Sequence, residues 1–362
     1  MRYLSWLLAV GLCACSGTAS TDTDDVDSQS EGTDTEGSDT ETDLGPCSEP
    51  VVLFEQYEGA TQDVTSYFES GDYFTLGVPG VLKVCPGTWY ARVLLRADID
   101  VVGLGDSPSQ TVLSAGWTGT IIDVSGPNVK VTVDNLTIER GDSKDVDHNS
   151  GGGGIYCEQQ GEISVNNVVF SDNRANDGSA IYVRDCTLIV SKSSFLNNNS
   201  EDDGGAITMW RSTGTFDDIT VKGNSALDGG GMALFESQVT MSNSTVSENK
   251  ASNFGGGIWG SASDLTFTDV TVSDNVNDGR DYGGGLIVYG SAELTRVTFE
   301  GNTAALGGGV YVYYDSVVHG SSCNFSHNSP QDIYAASESG GQSLAAGNNF
   351  SFDCADSKCR VR

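Results

Sequence analysis

Four residues near the middle of the chain could carry out acid–base chemistry. Glu158, Arg184 and Asp185 fall on neighbouring repeats of the sequence, and His148 precedes them in a charged insertion. A polysaccharide lyase needs a base and a group that neutralises substrate charge, whereas an inverting glycoside hydrolase needs two carboxylates spaced to admit water. These four residues are the candidate catalytic set, and the acid pairs further along the chain match no hydrolase motif.

A second set of residues is aromatic and recurs on the strand that follows each glycine-rich turn. Period-two alternation on these strands predicts that the side chains point away from the core and form one exposed face. Such a face could stack on sugar rings. The alternative is that aromatic residues simply suit exposed strands and cross-strand pairs. The set consists of Tyr156, Tyr182, Trp210, Phe235, Trp259, Tyr289 and Tyr311. Tyr313 occupies the next outward position after Tyr311.

An internal repeat positions both sets. One column of asparagines recurs every 25 to 27 residues, at Asn173, Asn198, Asn224, Asn249, Asn275, Asn302 and Asn328. Between successive asparagines lies a glycine run followed by an apolar-x-apolar strand, such as Gly255-Gly-Gly257-Ile258. Three short strands per repeat predict an all-β, three-sided solenoid, in which each coil stacks roughly 4.8 Å above the last. The asparagines should form one internal ladder.

The paired Phe-x-x-Asn and Gly-Gly-x-Ile motifs over residues 150–330 resemble the repeats of polymorphic outer-membrane proteins. Upstream, the segment from Val81 to Leu113, with its Gly-x-Gly turn, resembles the opening coils of pectin-lyase-like folds. The resemblance implies a single-stranded right-handed parallel β-helix with about 26 residues per coil. We expect it to run continuously from about residue 75 to 350.

The first 45 residues indicate export and display. Residues 1–14 have the charge and short apolar stretch of a signal peptide, and they end at Leu12-Cys-Ala-Cys15. This ending resembles the lipobox of bacterial lipoproteins, which implies lipidation at Cys15 and an outer-membrane location; the alternative is an ordinary signal peptide. Residues 15–45 hold ten Asp or Glu and no Lys or Arg, which predicts an extended acidic tether. Residues 46–362 would be the β-helix with its caps.

Charge and cysteines restrict the function classes. A formal net charge of −32 argues against nucleic-acid binding. In an exported protein the cysteines can form disulfides, for which Cys47 with Cys85, Cys157 with Cys186 and Cys354 with Cys359 are candidate pairs. Cys323 falls on the inward stack and is expected to be a buried thiol. Three histidines and the absence of a Cys-x-x-Cys pair argue against a metal site, and no cofactor is expected.

These features favour a lipid-anchored surface module over an enzyme. Its expected role is binding, adhesion or support of the cell envelope, with a polysaccharide or a cell-surface protein as partner. The alternative is a polysaccharide lyase or glycoside hydrolase that acts on the parallel-sheet face. A fold alone does not decide between them.

Overall fold

The computed structural model describes residues 47, 49, 51–144, 151–279 and 281–336, together with the backbone of a last strand at 349–354. Contacts divide the chain into Met1–Asp43 and Leu44–Arg362. The expected signal peptide, Cys15 and the acidic tether lie outside the described residues and stay predictions, as does the loop that would join Cys354 and Cys359. No helix in the described ranges is long and apolar enough to cross a bilayer.

The described residues form mostly short strands. The strands of the first part are β1 (Val52–Gln56), β2 (Thr61–Asp63), β3 (Tyr73–Leu76), β4 (Gly80–Val84), β5 (Gly87–Tyr90), β6 (Arg92–Leu95), β7 (Ile99–Gly103), β8 (Thr111–Ser114), β9 (Ile122–Val124), β10 (Lys130–Glu139), β11 (Ile155–Cys157), β12 (Glu162–Ser171), β13 (Arg174–Ala175), β14 (Ile181–Arg184), β15 (Thr187–Ser191), β16 (Ser194–Leu196) and β17 (Asn199–Ser200). Helix α1 (Thr65–Ser70) and a 3-10 turn (Pro108–Gln110) interrupt them.

The second part continues the pattern to the end of the described residues. Its strands are β18 (Ile207–Trp210), β19 (Thr213–Asp217), β20 (Thr220–Lys222), β21 (Ser225–Asp228), β22 (Met232–Phe235), β23 (Gln238–Ser242), β24 (Thr245–Ser247), β25 (Lys250–Phe254), β26 (Ile258–Thr268), β27 (Thr271–Ser273), β28 (Val276–Asn277), β29 (Leu286–Thr295), β30 (Thr298–Glu300), β31 (Val310–Val312), β32 (Val317–Ser326), β33 (Ile333–Ala335) and β34 (Asn349–Cys354).

Apart from β1 and β2, which pair antiparallel at the start of the solenoid, the strands stack in parallel as a right-handed β-helix with three faces, as predicted. Face 1 follows each glycine run and contains β11, β14, β18, β22, the first half of β26 and of β29, β31 and β33. Face 2 continues through strands such as β15, β19 and β23, and face 3 through β16, β20 and β24. A short fourth ladder, β13-β17-β21-β25-β28, leads into the next glycine run.

The interior side chains form continuous apolar columns, because each strand pairs in register with the same position one coil later. On face 1, Ile181, Ile207, Met232 and Ile258 are stacked and fully buried. On face 3, Phe170 and Phe195 stack with ring centroids 4.9 Å apart. Burial of these columns removes apolar surface from water at every coil, which stabilises the stack.

The predicted asparagine ladder is confirmed. In each coil from Asn173 to Asn302, the backbone N–H and the side-chain amide both donate to Oδ1 of the next asparagine. Asn224, for example, donates to Asn249 Oδ1 from both nitrogens at 2.9 Å, and its amide also donates to Phe195 O at 3.0 Å. Asn224 is 0% exposed. The ladder therefore satisfies polar groups that would otherwise be buried without partners.

Glycine is required in the runs because the backbones of adjacent coils approach closely there. A Cβ on Gly257 would lie 2.6 Å from the carbonyl oxygen of Gly285, which is closer than real Cβ contacts. Gly229 has a φ of 61°, in the left-handed region that favours glycine.

Single non-glycine residues with positive φ make the other corners. Asp185 (φ 55°) and Arg211 (φ 44°) occupy successive corners between faces 1 and 2, and Asp269 and Arg296 occupy successive corners between faces 2 and 3. In each pair the arginine donates two hydrogen bonds to the aspartate carboxylate. The N–O distances are 2.9 and 2.8 Å for Arg211 with Asp185, and 2.6 and 2.6 Å for Arg296 with Asp269.

Cysteines and a cap stabilise the N-terminal coils. The expected disulfides Cys47–Cys85 and Cys157–Cys186 are both present, with Cα atoms 5.5 and 6.7 Å apart. Strand β1 pairs antiparallel with β4, at the start of the solenoid. Cys323 is buried as expected, and the backbone register of β32 places it opposite Cys354 of β34.

Candidate binding site on face 1

The side chains that point outward from face 1 form two columns, which stack from coil to coil. In the first, Tyr156 and Tyr182 lie in register with ring centroids 5.4 Å apart. In the second, Trp210 stacks on Phe235 at 4.1 Å. Phe235 also meets Trp259 edge-on at 4.8 Å. The rings therefore lie outside the solenoid core, as the alternation predicts.

The prediction of one exposed face is wrong for four of the seven rings. Tyr156, Tyr182, Phe235 and Tyr311 are 8%, 4%, 5% and 4% exposed, whereas Tyr289 is 45% exposed. Trp210 and Trp259 are half-buried. Stacking covers one side of each ring, and the turn before the glycine run covers another. At Gly151, for instance, a Cβ would come within 2.5 Å of the Tyr182 ring.

Near the C-terminal end of face 1, the aromatic columns open into a cleft of about 270 Å³. Seven of its nine lining side chains are aromatic, and the other two are Ser261 and Ile287. We call it the aromatic cleft; its rings are Phe254, Trp259, Tyr282, Tyr289, Tyr311, Tyr313 and Tyr314. A concave site with aromatic walls is the usual form of a small-ligand site.

Ring contacts hold the walls of the aromatic cleft in place. Tyr282 stacks on Tyr311 at 4.5 Å, and Phe254 lies 5.6 Å from Trp259 and 6.0 Å from Tyr282. Burial, and then the phenols of neighbouring tyrosines, raise the pKa of Tyr311. Its hydroxyl therefore stays protonated at neutral pH. The walls are therefore aromatic rings that are packed against one another.

Sequence reasoning found Trp259, Tyr289, Tyr311 and Tyr313 but missed three wall residues. Phe254 and Tyr282 each precede a glycine run, and Tyr314 follows the second outward position of face 1. A signal for the first two existed, since the corresponding position is Asp177, Asp203 and Asp228 in the three preceding coils. The change from acid to aromatic marks the coil at which the cleft begins.

The candidate catalytic residues are only partly brought together. Arg184 Nη1 lies 3.3 Å from Glu158 Oε1 on neighbouring coils of face 1, as expected. Asp185, in contrast, lies at the corner and is held by Arg211, so it does not join this pair. His148 lies outside the described residues. Arg184 Nε is buried and has no hydrogen-bond partner in the structure.

Tyrosines surround the Glu158–Arg184 pair. Burial, followed by a hydrogen bond to the Glu158 carboxylate, raises the pKa of Tyr156. Burial likewise raises the pKa of Tyr182 to about 12, although the Arg184 guanidinium opposes the rise. Both phenols are therefore neutral at physiological pH, and neither is activated as a base.

A further acid–tyrosine pair lies one coil earlier and was not predicted. Tyr73 donates a hydrogen bond to Asp123 Oδ2 at 3.0 Å. Burial raises the pKa of Asp123, and the hydrogen bond from Tyr73 opposes the rise. Strand patterns do not predict this contact, because Tyr73 and Asp123 are 50 residues apart.

An acid column lies in the turns before the glycine runs of the middle coils; it consists of Asp177, Asp202, Asp203 and Asp228. Carboxylate oxygens of the first three lie within 4.8 Å of one another, the one group in the described ranges whose spacing could hold a metal ion. Burial, and then the charges of the other column members, raise the pKa of Asp203 to about 8. Burial raises that of Asp228 to about 6. This clustering was not predicted.

Comparison with solved structures finds distant similarity. A structure described as ORF18 of Geobacillus virus E2 shares 11% identity at a TM-score of 0.43; the match covers 77% of this chain and 54% of the phage chain. The A-modules of two mannuronan C-5 epimerases of Azotobacter vinelandii, AlgE4 and AlgE6, share 12% and 14% identity at TM-scores of 0.39 and 0.35. Those matches cover 80% of this chain and 90% and 89% of theirs. No curated protein matches the chain.

Two family descriptions match the repeats themselves. Residues 296–313 match the Chlamydia polymorphic membrane protein repeat. Residues 120–304, just over half of the chain, match the right-handed beta helix region, in agreement with the parallel coils and the asparagine ladder. This chain therefore belongs to the right-handed β-helix family.

Proposed function

We propose that this protein is a binding module that holds a glycan in the aromatic cleft of face 1. The observation that carries the proposal is the cleft itself, in which seven rings surround about 270 Å³ of accessible space. Exposed aromatic surface on a protein often marks a site of interaction. Tyr289 and Tyr314 are 45% and 40% exposed at this site.

The physical basis of binding is stacking on rings that are already in position. Tyr289 and Tyr313 lie 5.4 Å apart, and each belongs to a strand or turn fixed by the coil below it. A ligand therefore loses freedom on binding, but the protein loses little. Several ring contacts give affinity without any group of tuned pKa, which is why a binding role requires fewer assumptions than catalysis.

Display at the cell surface is the second part of the proposal. The polymorphic membrane protein repeat over residues 296–313 supports a surface location. We propose that residues 1–14 are removed, that Cys15 carries the lipid, and that residues 15–45 hold the β-helix away from the outer membrane. Mass spectrometry of the mature N-terminus tests this. An unmodified chain that starts at another residue would contradict the anchor and leave the cleft proposal intact.

Equilibrium binding tests the cleft proposal. A panel of oligosaccharides is titrated against the purified protein, and against Trp259→Ala and Tyr289→Ala. Each change should weaken binding by about 1 kcal/mol, because each removes one stacking ring. Tyr90→Ala is the matched control, since Tyr90 is an exposed tyrosine (54%) outside the cleft. Circular dichroism should show that all three variants keep the fold.

The enzyme alternative predicts a different result from the same samples. It requires release of sugar fragments, with new ultraviolet absorbance for a lyase, and loss of that activity in Glu158→Gln or Arg184→Ala. If those two variants stop fragment release while Trp259→Ala does not, the binding-module proposal is wrong.

A further inference from the structure

The charge around the aromatic cleft restricts the kind of glycan that it can hold. No lysine, arginine, aspartate or glutamate is among its nine lining residues, so no cationic side chain in the walls could pair with an acidic sugar. The faces of aromatic rings carry partial negative charge and attract cations, with Trp and Tyr as the strongest residues. The walls alone therefore favour a positively charged ligand over a negatively charged one.

The acid column ends at the cleft and is linked to it by a hydrogen bond. Asp228 Oδ1 accepts the backbone N–H of the wall residue Phe254 at 2.8 Å. Burial raises the pKa of Asp228 to about 6, and the charges of Asp202 and Asp281 contribute to the rise. Above that pH the Asp228 carboxylate is ionised. Its charge adds to the negative potential at the Phe254 side of the cleft.

Two more acids adjoin wall residues in the sequence. Asp281 directly precedes Tyr282 and is half-buried, and Asp315 directly follows Tyr314 and is exposed. Adjacent Cα atoms are about 3.8 Å apart, so both carboxylates lie within a Debye length (about 8–10 Å) of the wall residues and add to the negative potential there. We call Asp281 and Asp315 the rim acids; the chain as a whole has a formal net charge of −32. An anionic polymer would meet repulsion here at low ionic strength.

The cations described near the cleft are already paired. Lys250 lies 2.6 Å from Asp278 on the short ladder, and Arg296 lies 2.6 Å from Asp269 at a corner. Arg280 lies outside the described residues. Within residues 250–279 and 281–315, therefore, each lysine or arginine has its own acidic partner.

We infer that the ligand of the aromatic cleft is an amino-sugar oligomer that carries ammonium groups. The inference rests on the proposed glycan-binding function and specifies its substrate class. The sugar rings stack on Trp259 and Tyr289, and the ammonium groups lie toward the ring faces and the rim acids Asp281 and Asp315. A uronic-acid polymer of the same length would bring carboxylates to the same positions and is excluded by charge.

Three probes of equal length test the inference: hexamers of glucosamine, N-acetylglucosamine and galacturonate. Binding to the purified protein is measured by calorimetry at a pH just above the Asp228 pKa of about 6, in low and in high salt. The glucosamine hexamer should bind about tenfold more tightly than the N-acetyl hexamer, because several partly exposed charge contacts add to stacking. Salt should reduce that preference, and galacturonate should bind most weakly.

A double variant identifies the source of the preference. Asp281→Asn with Asp315→Asn should weaken glucosamine binding about fivefold and leave N-acetylglucosamine binding unchanged. Asp106→Asn, an exposed acid on a distant coil, is the matched control and should change neither affinity.

Each contrary result has its own meaning. Equal or tighter binding of the N-acetyl or galacturonate hexamer would overturn the amino-sugar inference and leave the glycan-binding proposal standing. Binding of none of the three would overturn the amino-sugar inference, and binding of no oligosaccharide in the wider panel would overturn the glycan-binding proposal as well. Binding of hexalysine with the affinity of the glucosamine hexamer, lost in Trp259→Ala, would show that a basic peptide is the ligand and would also overturn the inference.

Discussion

Replacement of one asparagine in the ladder should cost more free energy than any other single polar change in the solenoid. Asn224 is 0% exposed, and its side chain takes part in four hydrogen bonds. In Asn224→Ala, the backbone N–H and one amide N–H of Asn198 lose their acceptor, and Phe195 O loses a donor. A buried group left unsatisfied costs about 1–3 kcal/mol.

The expected loss in the free energy of unfolding is therefore about 3–5 kcal/mol, at the upper end for a point mutation. Asn224→Asp separates the contribution of the side-chain oxygen as acceptor from that of the amide as donor. It keeps an oxygen for the two donors of Asn198, but it loses both amide donations and places a buried charge near Asn249 Oδ1. It should also be strongly destabilising.

Urea unfolding followed by circular dichroism measures the effect. Asn199→Ala is the matched control, because Asn199 is the adjacent residue, is exposed, and contacts Ser225 only at the surface. The control should lie within about 0.5 kcal/mol of the parent. If Asn224→Ala and Asn199→Ala unfolded at the same urea concentration, the ladder would not stabilise the fold, and this reasoning would be refuted.

Three further changes test other parts of the structure. Ile258→Asp should destabilise the fold by more than about 3 kcal/mol, because it buries an unpaired charge. Its control, Thr240→Asp on the exposed side of face 2, should change the urea midpoint little. Equal midpoints for the two variants would show that the inward assignment of Ile258 is wrong. Asp203 has a pKa raised from 3.8 to about 8, so its stabilisation is complete below the lower value and is lost as pH rises through the upper one. The free energy of unfolding should fall by at most about 1.4 kcal/mol per pH unit on its account between these values, and an unchanged pH slope in Asp203→Asn would contradict this. Removal of the disulfide by Cys157→Ala with Cys186→Ala should cost about 2–4 kcal/mol, and an unchanged thermal midpoint would show that the bond does not constrain the unfolded chain.

The repeat made most of the fold predictable. Asn173 and Asn198 are 25 residues apart, and the same spacing recurs to within two residues along the chain, so one stacking rule placed the whole ladder. Of the two described disulfides, Cys157–Cys186 followed from a separation of about one coil, and Cys47–Cys85 from pairing the two cysteines of the N-terminal cap.

The site was less predictable, for physical reasons. Period-two alternation indicates on which side of a strand Tyr311 lies, but it does not indicate what covers that side. Tyr282 covers Tyr311 because the turn before the glycine run folds over face 1. The alternation of residues along a strand does not predict the path of that turn. The strand pattern also did not show that Asp185 takes the positive φ of a corner. For that reason Asp185 was grouped with Glu158, although it lies at the corner and pairs with Arg211.

The most direct test of the binding account is a crystal structure of the protein with the oligosaccharide that it binds most tightly. The account predicts a sugar ring packed against Trp259 and Tyr289 inside the aromatic cleft. Density for the sugar beside Glu158 and Arg184, with the cleft empty, would contradict it.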